Sequence, residues 1–378
     1  MPRLVLIGSG LAHLHVLRAW RRDAIAGVEL VVVAPCDHHY SGMVPGFLRG
    51  AYAAADMRID VATLARCAGA RHVDAIAERL SLATHVIDTT AGPLEFDLCS
   101  IDVGGGVAGS RIPGVAANTV SLRPMTRALA LRDALDARCA SHQPFHVVVV
   151  GAGAGGVEVA LAVQQRIAAT NGGGTVRLVD AGRVMLPLEP PGLRRAIAAL
   201  LHGRGIGLVL GEAVAGVTSD AVHLASGASL PADLVVWLPG VEPPPLLAAS
   251  DLRTDDAGYL LVDRTLAMSG SDQGIWGAGD CIALADGSAP PRSGAYAVRQ
   301  GPILLANLRA ALGHGRTRRY TPRARSLVLL DTADGRALAR WGRLHGGGVL
   351  AWWLKRRIDR RYVEHFRVMC DERGAPGS

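Results

Sequence analysis

A glycine-rich turn near the middle of the chain constrains the fold more than any other feature. An apolar strand is predicted over residues 146–150, the turn occupies 151–156, and an Ala- and Val-rich helix is predicted over 157–169. A strand at 175–180 completes a βαβ unit. In a dinucleotide-binding unit, one glycine permits the tight turn, the next lets a pyrophosphate approach, and the third lets helix and strand pack closely. The glycines in these positions are Gly151, Gly153 and Gly156.

The end of the second strand predicts which nucleotide binds. Asp180 follows the last glycine by about 24 residues, where a carboxylate accepts hydrogen bonds from ribose hydroxyls. This favours NADH over NADPH. Arg177 and Arg183 are close in sequence, and a basic side chain there is able to accommodate a 2′-phosphate. Both nucleotides therefore stay open, with NADH preferred.

The N-terminus repeats this architecture less regularly. A strand at 4–7 runs into the turn Gly8-Ser9-Gly10, and a helix and a strand at 28–33 follow. His13 stands in the third glycine position, and Ala34-Pro35 stands where a ribose carboxylate would end the second strand. Taken alone, the motif also fits an ordinary strand-to-helix turn that binds nothing.

A third motif connects the two turns. A short apolar strand at 275–277 leads to Gly279-Asp280, where an aspartate is able to bond a ribityl hydroxyl and helix amides face a flavin. Together the three motifs resemble the two-dinucleotide-binding flavoproteins, the pyridine nucleotide-disulfide oxidoreductase superfamily, over nearly the whole chain. In that superfamily the first turn binds FAD, the second binds NAD(P)H, and the Gly-Asp strand completes the FAD site.

Composition agrees with the fold that this resemblance implies. The 378 residues are 49% hydrophobic but only 4% aromatic, with 46 glycines, which is typical of Ala, Val and Leu packed between helices and a parallel sheet. We predict an α/β fold with two Rossmann-like three-layer dinucleotide-binding domains, the NAD(P) domain inserted in the FAD domain. The predicted parts are the FAD-binding domain at 1–115 and 251–322, the NAD(P)H-binding domain at 116–250, and a small C-terminal element at 323–378.

The resemblance also assigns cofactor contacts and candidate catalytic residues. The predicted contacts are Gly8, Gly10, Leu11, Ala12, Ser41, Gly42, Ala77, Gly104, Gly279 and Asp280, and, at the second turn, Gly151, Gly153, Gly155, Gly156, Glu158, Asp180 and Gly240. Glu158 either contacts the nicotinamide end or only complements the helix dipole. His39, like His38, either delivers protons to a reduced acceptor or caps a turn. Ser41 is a further catalytic candidate, and no metal site is predicted.

The cysteine pattern predicts how electrons leave the flavin. Disulfide reductases of the superfamily carry a CxxxxC pair beside the flavin, whereas residues 36–46 contain Cys36 alone. Type II NADH dehydrogenases and sulfide:quinone reductases also lack that pair. We therefore expect hydride to pass from NADH to FAD and then directly to a quinone-like acceptor, without a redox dithiol. A narrower resemblance, carried by residues 40–46, 295–302 and 353–361, is to the flavoproteins found fused to selenide, water dikinase.

Two other functions stay open at this point. A flavoprotein that handles sulfide or a selenium compound would need cysteines to hold the chalcogen. The candidates are Cys36, Cys139, Cys281 and Cys370. The second alternative is a partner protein that binds FAD and NAD without turnover. It would bind FAD but would not be reduced rapidly by NADH.

The C-terminal segment 349–368 is basic and amphipathic. Its apolar residues recur every four positions at Leu350, Leu354, Ile358, Tyr362 and Phe366. Such a helix either lies on an anionic membrane surface or packs its apolar stripe on the FAD domain. With no leader and no uncharged apolar stretch of about 18 residues, we expect a cytoplasmic protein, with peripheral contact at the inner face of the membrane as a further option. The charge of +7 comes without a nucleic-acid module, so no nucleic-acid partner is expected, and an oligomer stays open.

Overall fold

A computed structural model describes residues 1–170, 172–270, 273–323 and 326–367. The elements of the first part are, in chain order, β1 (Arg3–Ile7), α1 (Leu11–Trp20), β2 (Glu29–Val33), β3 (Asp37–His39), a 3-10 turn (Ser41–Met43), α2 (Val44–Leu48), α3 (Ala54–Met57), β4 (Arg58–Asp60), α4 (Val61–Cys67), β5 (Arg71–Val73), β6 (Ala77–Ser81), β7 (Val86–Thr89), β8 (Gly92–Glu95), β9 (Leu98–Ile101), β10 (Gly106–Val107) and α5 (Val115–Asn118).

The middle of the chain has a similar alternation of strands and helices. Its elements are β11 (Val120–Ser121), α6 (Arg127–Ala140), β12 (Phe145–Val150), α7 (Ala154–Ala169), β13 (Gly174–Asp180), α8 (Pro191–Gly203), β14 (Gly207–Leu210), β15 (Val214–Val217), β16 (Ala221–Leu224), β17 (Ser229–Pro231), β18 (Leu234–Trp237), β19 (Val241–Glu242) and α9 (Pro245–Ala248).

The last part returns to the first sheet and then adds a hairpin and a helix. Its elements are β20 (Leu260–Val262), β21 (Ile275–Gly277), a 3-10 turn (Gly279–Cys281), β22 (Ile282–Leu284), α10 (Gly294–Ala311), β23 (Leu327–Asp331), β24 (Ala337–Trp341), β25 (Leu344–Gly348) and α11 (Val349–Phe366).

Two five-stranded parallel sheets organise these elements. The first has the order β21-β9-β1-β2-β5 and the second has the order β11-β18-β12-β13-β14. The chain leaves the first sheet after β9, builds the second, and returns with β21. The predicted α/β fold, with one Rossmann-like unit inserted in the other, is therefore confirmed. The domain limits at 115, 250 and 322 stay a prediction.

Strand order explains where ligands are able to bind. In both sheets the order reverses beside the strand that precedes a glycine turn, β1 in the first sheet and β12 in the second. Such a reversal opens a crevice outside the carboxyl ends of the strands, because the helices on either side of it diverge. Four of the five residues of β1 are buried and five of the six of β12, since strands of a parallel sheet are covered on both faces.

The C-terminal element connects the two units. Strands β23, β24 and β25 form an antiparallel sheet, with a turn at Asp334-Gly335 between the first two. Arg340 bonds Glu189 at 2.7 Å, ahead of α8. On the other side, the Lys355 ammonium on α11 donates to the Gly42 carbonyl at 2.9 Å. This helix therefore lies against the segment predicted to hold the flavin.

Candidate functional site

The second glycine turn has two kinds of glycine. Gly151 has a φ of +109°, and a Cβ on Gly156 would collide with the Gly151 carbonyl, so both are required by the packing of α7 on β12. A Cβ on Gly153 or Gly155 would meet no described atom within 4 Å. Open space at a helix N-terminus, where backbone N–H groups have no helical partner, fits a phosphate group.

Asp180 closes one side of this space. One of its carboxylate oxygens accepts from the Ala152 amide at 2.6 Å, and the other accepts from the Gly182 amide at 2.6 Å. The carboxylate is thereby fixed at the carboxyl edge of the sheet, beside the turn. A cavity of about 190 Å³ opens here, and its lining includes Gly151, Asp180, Glu212 and Trp237. Gly240, after β18, has a φ of +143° and open space at its Cβ position.

The first turn is closed by a histidine in place of the third glycine. Gly8 has a φ of +91°, and a Cβ there would collide with the Asp102 carbonyl. His13 is fully buried, with Nδ1 2.8 Å from the Gly8 carbonyl and Nε2 2.8 Å from the Ser100 hydroxyl. A carbonyl only accepts, so Nδ1 carries the proton and Nε2 accepts from Ser100. His13 thus replaces the missing glycine with two hydrogen bonds.

His13 should make stability depend on pH. Burial lowers its pKa to about 4, below the ordinary value near 6.5, so the folded protein binds fewer protons there than the unfolded chain. The stabilisation is complete above pH 6.5 and is lost as pH falls toward 4, a change of about 3 kcal/mol. We expect His13→Asn, which does not titrate, to show a smaller loss of unfolding free energy between pH 7 and 4 in urea titrations. Parallel pH profiles for the two proteins would contradict this.

Asp102 is a buried carboxyl at the first turn that the sequence reading missed. It follows β9, and its Oδ2 accepts from the amides of Ala12 and His13 at 2.9 and 3.1 Å. Its other oxygen lies where a Cβ of Gly10 or Gly279 would be. Burial raises the pKa of Asp102 to about 7, although the two amides oppose the shift. The beginning of α1, with the predicted contacts Leu11 and Ala12, therefore faces a carboxyl that is half-protonated near neutrality.

The Gly279-Asp280 motif lies beside the first turn, next to Asp102. Gly279 has a φ of +77°, and its amide donates to the Gln300 side chain at 2.6 Å. Asp280 pairs with Arg123 at 3.3 Å. The Arg123 guanidinium also lies 3.8 Å from a Cβ position on Gly104. Residues from three separate stretches of the sequence thus converge near the carboxyl ends of β1, β9 and β21.

Two unpaired polar atoms indicate room for a cofactor beside this convergence. The Tyr362 hydroxyl and His39 Nδ1 are buried and have no hydrogen-bond partner among the described residues. Burial, and then the charge of Asp102, raise the pKa of Tyr362. Tyr362 stacks on Tyr40 at 4.7 Å between ring centroids. A ligand with polar edges and an aromatic ring system, such as a flavin, fits these residues.

The segment after β2 supplies the remaining predicted contacts. His38 and His39 lie on β3, and burial lowers the pKa of both, that of His38 to about 4. Both imidazoles are therefore largely neutral at pH 7. Ser41 and Gly42 lie on the 3-10 turn, with Ser41 exposed. Ala77 begins β6, shortly after β5, the strand next to β2.

Glu158 belongs to a buried charged cluster that joins the two units. Its Oε1 accepts from the Asp331 amide at 2.7 Å. Burial raises the pKa of Glu158 to about 7, against the opposing charge of Lys355. Lys355 bonds Asp359 at 2.9 Å, and Arg49 lies 3.6 Å from Asp331. With three carboxyls and two cations, the cluster is able to hold an extra proton at Glu158 near pH 7.

Lys355 is buried, although most of the basic residues that surround it on α11 are not. It is 8% exposed. Burial lowers the pKa of the ammonium, but the charges of Glu158 and Asp359 outweigh that effect and raise it. The i, i+4 spacing of Lys355 and Asp359 within an otherwise amphipathic helix was the available signal, because it puts two opposite charges on one face.

Three of the four free cysteines in the described part of the chain have surroundings that disfavour the thiolate. Cys36, Cys99, Cys139 and Cys281 are free. Burial raises the pKa of Cys99 and Cys281, so their thiolates are disfavoured. Cys36 donates to Asp74 at 3.1 Å, which raises its pKa as well. Cys370 lies outside the described residues.

Two features are absent from the described residues. No helix there is both long and apolar enough to cross a bilayer. No group of three or more His, Cys, Asp or Glu side chains in the same part of the chain is placed to hold a metal ion.

The fold and the two glycine turns are those of the α/β proteins that contain two dinucleotide-binding units. The family model described as pyridine nucleotide-disulphide oxidoreductase matches residues 2–301. The chain belongs to the pyridine nucleotide-disulphide oxidoreductase family.

Individual relatives share sequence over part of their length. Demethylphylloquinone reductase NdbB of Synechocystis is 28% identical over 275 residues, which cover 70% of this chain and 66% of that protein. A type II NADH:quinone oxidoreductase of Haemophilus influenzae is 28% identical over 161 residues, which cover 39% of this chain and 36% of that protein. The chain thus matches less than two thirds of each relative's length.

Two solved structures share the fold at lower identity. NDH2 from Plasmodium falciparum in complex with NADH has a TM-score of 0.83 at 14% identity, over 97% of both chains. The sulfide:quinone oxidoreductase of Aquifex aeolicus has a TM-score of 0.80 at 16% identity, over 97% of this chain and 92% of that one.

Proposed function

We propose that this protein is an FAD-dependent NADH oxidoreductase that reduces a quinone-like acceptor without a redox dithiol. One observation carries the proposal: α7 opens at the second glycine turn and places Glu158 in the cluster that reaches the Gly42 carbonyl through Lys355. The helix assigned to the nicotinamide nucleotide therefore meets the segment assigned to the flavin. The two relatives described above carry names of quinone reductases.

The chemistry divides between cofactors and protein. When bound, FAD is able to accept a hydride from NADH and to return the electrons to an acceptor. A quinone takes up protons when it is reduced, and Glu158, with a pKa of about 7, is able both to hold and to release a proton at neutral pH. The largely neutral His38 and His39 are less suited to that role than Glu158.

A carboxylate for the FAD ribose is supplied by a neighbouring strand. Ala34-Pro35 follows β2, but Val33 pairs with Val73 in the parallel sheet. Asp74 therefore stands next to Ala34 at the same edge. Its side chain is held by the Cys36 thiol at 3.1 Å. We propose that Asp74 takes the place of the missing residue and accepts from the ribose hydroxyls.

Asp74→Asn should accordingly weaken FAD binding. A hydrogen bond to a charged group contributes about 1.5–3 kcal/mol, so a roughly tenfold or greater rise in the Kd of FAD for the apoprotein is expected. Flavin fluorescence titration measures this directly. Asp88→Asn, an exposed change on β7, is the control. Equal FAD affinity in both variants would refute the assignment.

The exposed face of α11 supports a second proposal, contact with an anionic membrane surface. Leu350 and Trp353 are 84% and 56% exposed, and Leu344, at the β24–β25 turn, is 76% exposed. On the same helix, the last turns present Arg357, Arg360 and Arg361 around one pocket, together with the single carboxylate of Glu364. Apolar side chains at one end and arginines at the other suit insertion beside lipid phosphates.

Removing the apolar end should release the protein from vesicles. For Leu350→Ser with Trp353→Ser, the lost burial predicts at least about tenfold weaker partition onto phosphatidylglycerol vesicles. Sedimentation with vesicles measures this, with Ile76→Ser, an exposed apolar residue elsewhere, as the control. If Ile76→Ser weakens vesicle binding equally, α11 is not the membrane-contacting surface.

The narrower resemblance at residues 40–46, 295–302 and 353–361 supports placing the chain in the type II NADH dehydrogenase-like group that includes the flavoproteins fused to selenide, water dikinase. That placement keeps a chalcogen substrate as the second candidate. A steady-state assay separates the two. The proposal expects NADH consumption with a short-chain quinone to be retained in the Cys36→Ser and Cys281→Ser variants. Turnover that requires sulfide and is lost in either variant would favour the second candidate.

A further inference from the structure

The cavity beside the second turn contains a second carboxylate. Glu212 follows β14, the strand next to β13, and its amide donates to the Asp180 carbonyl at 3.1 Å. Both residues line the same cavity of about 190 Å³. In the described part of the chain, no hydrogen bond or ion pair to the Glu212 carboxylate is found. Its charge is therefore less compensated than that of Asp180, which accepts from two amides.

The remaining walls of the cavity are apolar and contain no basic side chain. Ile112, Val214 and Trp237 form much of the lining, and the Trp237 indole is fixed by donation to the Ala108 carbonyl at 2.8 Å. Such walls suit a flat heterocycle such as adenine. The two arginines close in sequence to Asp180 do not line it. The Arg177 side chain lies against Gly207, and that of Arg183 lies near Gly211, the residue before Glu212, but outside the cavity lining.

We infer that Glu212 is a specificity-determining residue that acts with Asp180 to exclude nucleotides carrying a 2′-phosphate. The inference rests on the proposed nicotinamide nucleotide site. A 2′-phosphate carries a charge between about −1.5 and −2 at pH 7, and two carboxylates in a partly enclosed, apolar cavity repel it more strongly than one in open water. NADH, with free ribose hydroxyls, instead finds two acceptors.

Equilibrium binding to the FAD-loaded protein tests this without turnover. Calorimetric titration with NAD⁺ and NADP⁺ should show NAD⁺ binding at least about 50-fold more tightly in the wild type. Glu212→Gln keeps the shape of the side chain and removes its charge. It should tighten NADP⁺ binding about five- to tenfold and leave NAD⁺ within about twofold. Asp133→Asn, an exposed change on α6 of the same unit, is the control and should alter neither.

Salt distinguishes a charge effect from a change of shape. The discrimination against NADP⁺ should shrink as ionic strength rises in the wild type, and less so in Glu212→Gln. Equal affinity of the wild type for both nucleotides, or unchanged NADP⁺ affinity in Glu212→Gln, would overturn the inference while leaving the proposed function standing. Failure of NAD⁺ to bind at all would overturn both.

Discussion

Gly153→Val is expected to abolish rapid reduction of the flavin by NADH while the protein stays folded and yellow. The Gly153 backbone is extended, with φ −71° and ψ −179°, and a Cβ there meets no described atom within 4 Å. The substitution therefore costs little in the free protein. A bound pyrophosphate would approach through that same space, and displacing it by an ångström or more should slow reduction about 100-fold.

The measurement is stopped-flow bleaching of flavin absorbance under anaerobic conditions, together with the flavin content of each variant. Gly203→Val is a matched control, because Gly203 ends α8 and its Cβ position is equally open. The control should bleach like the wild type. If Gly153→Val also bleaches like the wild type, the second turn does not bind the nucleotide.

Lys355→Met is expected to cause the largest loss of stability. The ammonium is buried between the Gly42 carbonyl and Asp359, with Glu158 close by. Methionine fills a similar volume but leaves the carboxyls without their closest cation. Breaking a buried pair in this way costs about 3–5 kcal/mol. Urea unfolding should show that loss, against a change within about 0.5 kcal/mol for the exposed Arg357→Met.

The same substitution has a defined pH dependence. Without the cation, the folded-state pKa values of Asp359 and Glu158 rise further above their unfolded values. Raised carboxyl pKa values favour the folded state at low pH and lose that contribution as pH rises. The destabilisation by Lys355→Met should therefore be larger at pH 8 than at pH 5. Adding Asp359→Leu should recover part of the stability, because it removes one uncompensated charge. A Lys355→Met protein as stable as Arg357→Met at both pH values would show that the cluster does not stabilise the fold.

The parts of the fold that the sequence predicted well are those that a local pattern determines. The sequence predicted the strand, turn and helix around Gly151 because apolar runs and glycines specify each element within a few residues. The helix begins at Ala154 rather than Val157, because the last residues of the glycine turn already form its first helical turn. The short strand and turn at Gly279-Asp280 were predicted for the same reason.

Side chains whose partners are distant in sequence could not be read in this way. His13 looked like a defect in the first turn until its bond to Ser100, 87 residues away, explained it. Asp102 and Glu212 follow ordinary strands, and only the packing of those strands brings them to the glycine turns. The sequence did not single out Lys355 among the basic residues of its segment, yet the face of α11 that it shares with Asp359 is the one that packs inward.

For the apolar stripe of α11, the sequence left two locations open, the protein core and a membrane surface. In the structure, the two ends of the stripe differ, since Phe366 is buried and Leu350 is exposed. An apolar stripe at helical spacing does not reveal how far along the helix the rest of the protein extends. The stripe therefore predicted a helix, but not the part of it that solvent reaches.

Anaerobic mixing of the FAD-loaded protein with NADH, followed by a short-chain quinone, tests most directly whether electrons enter through the second turn and leave without a dithiol. The flavin absorbance should bleach rapidly with NADH, much more slowly with NADPH, and return when quinone is added, in wild type and in Cys36→Ser alike. Absence of bleaching with either nucleotide, or bleaching by NADH that no quinone reverses, would contradict the account.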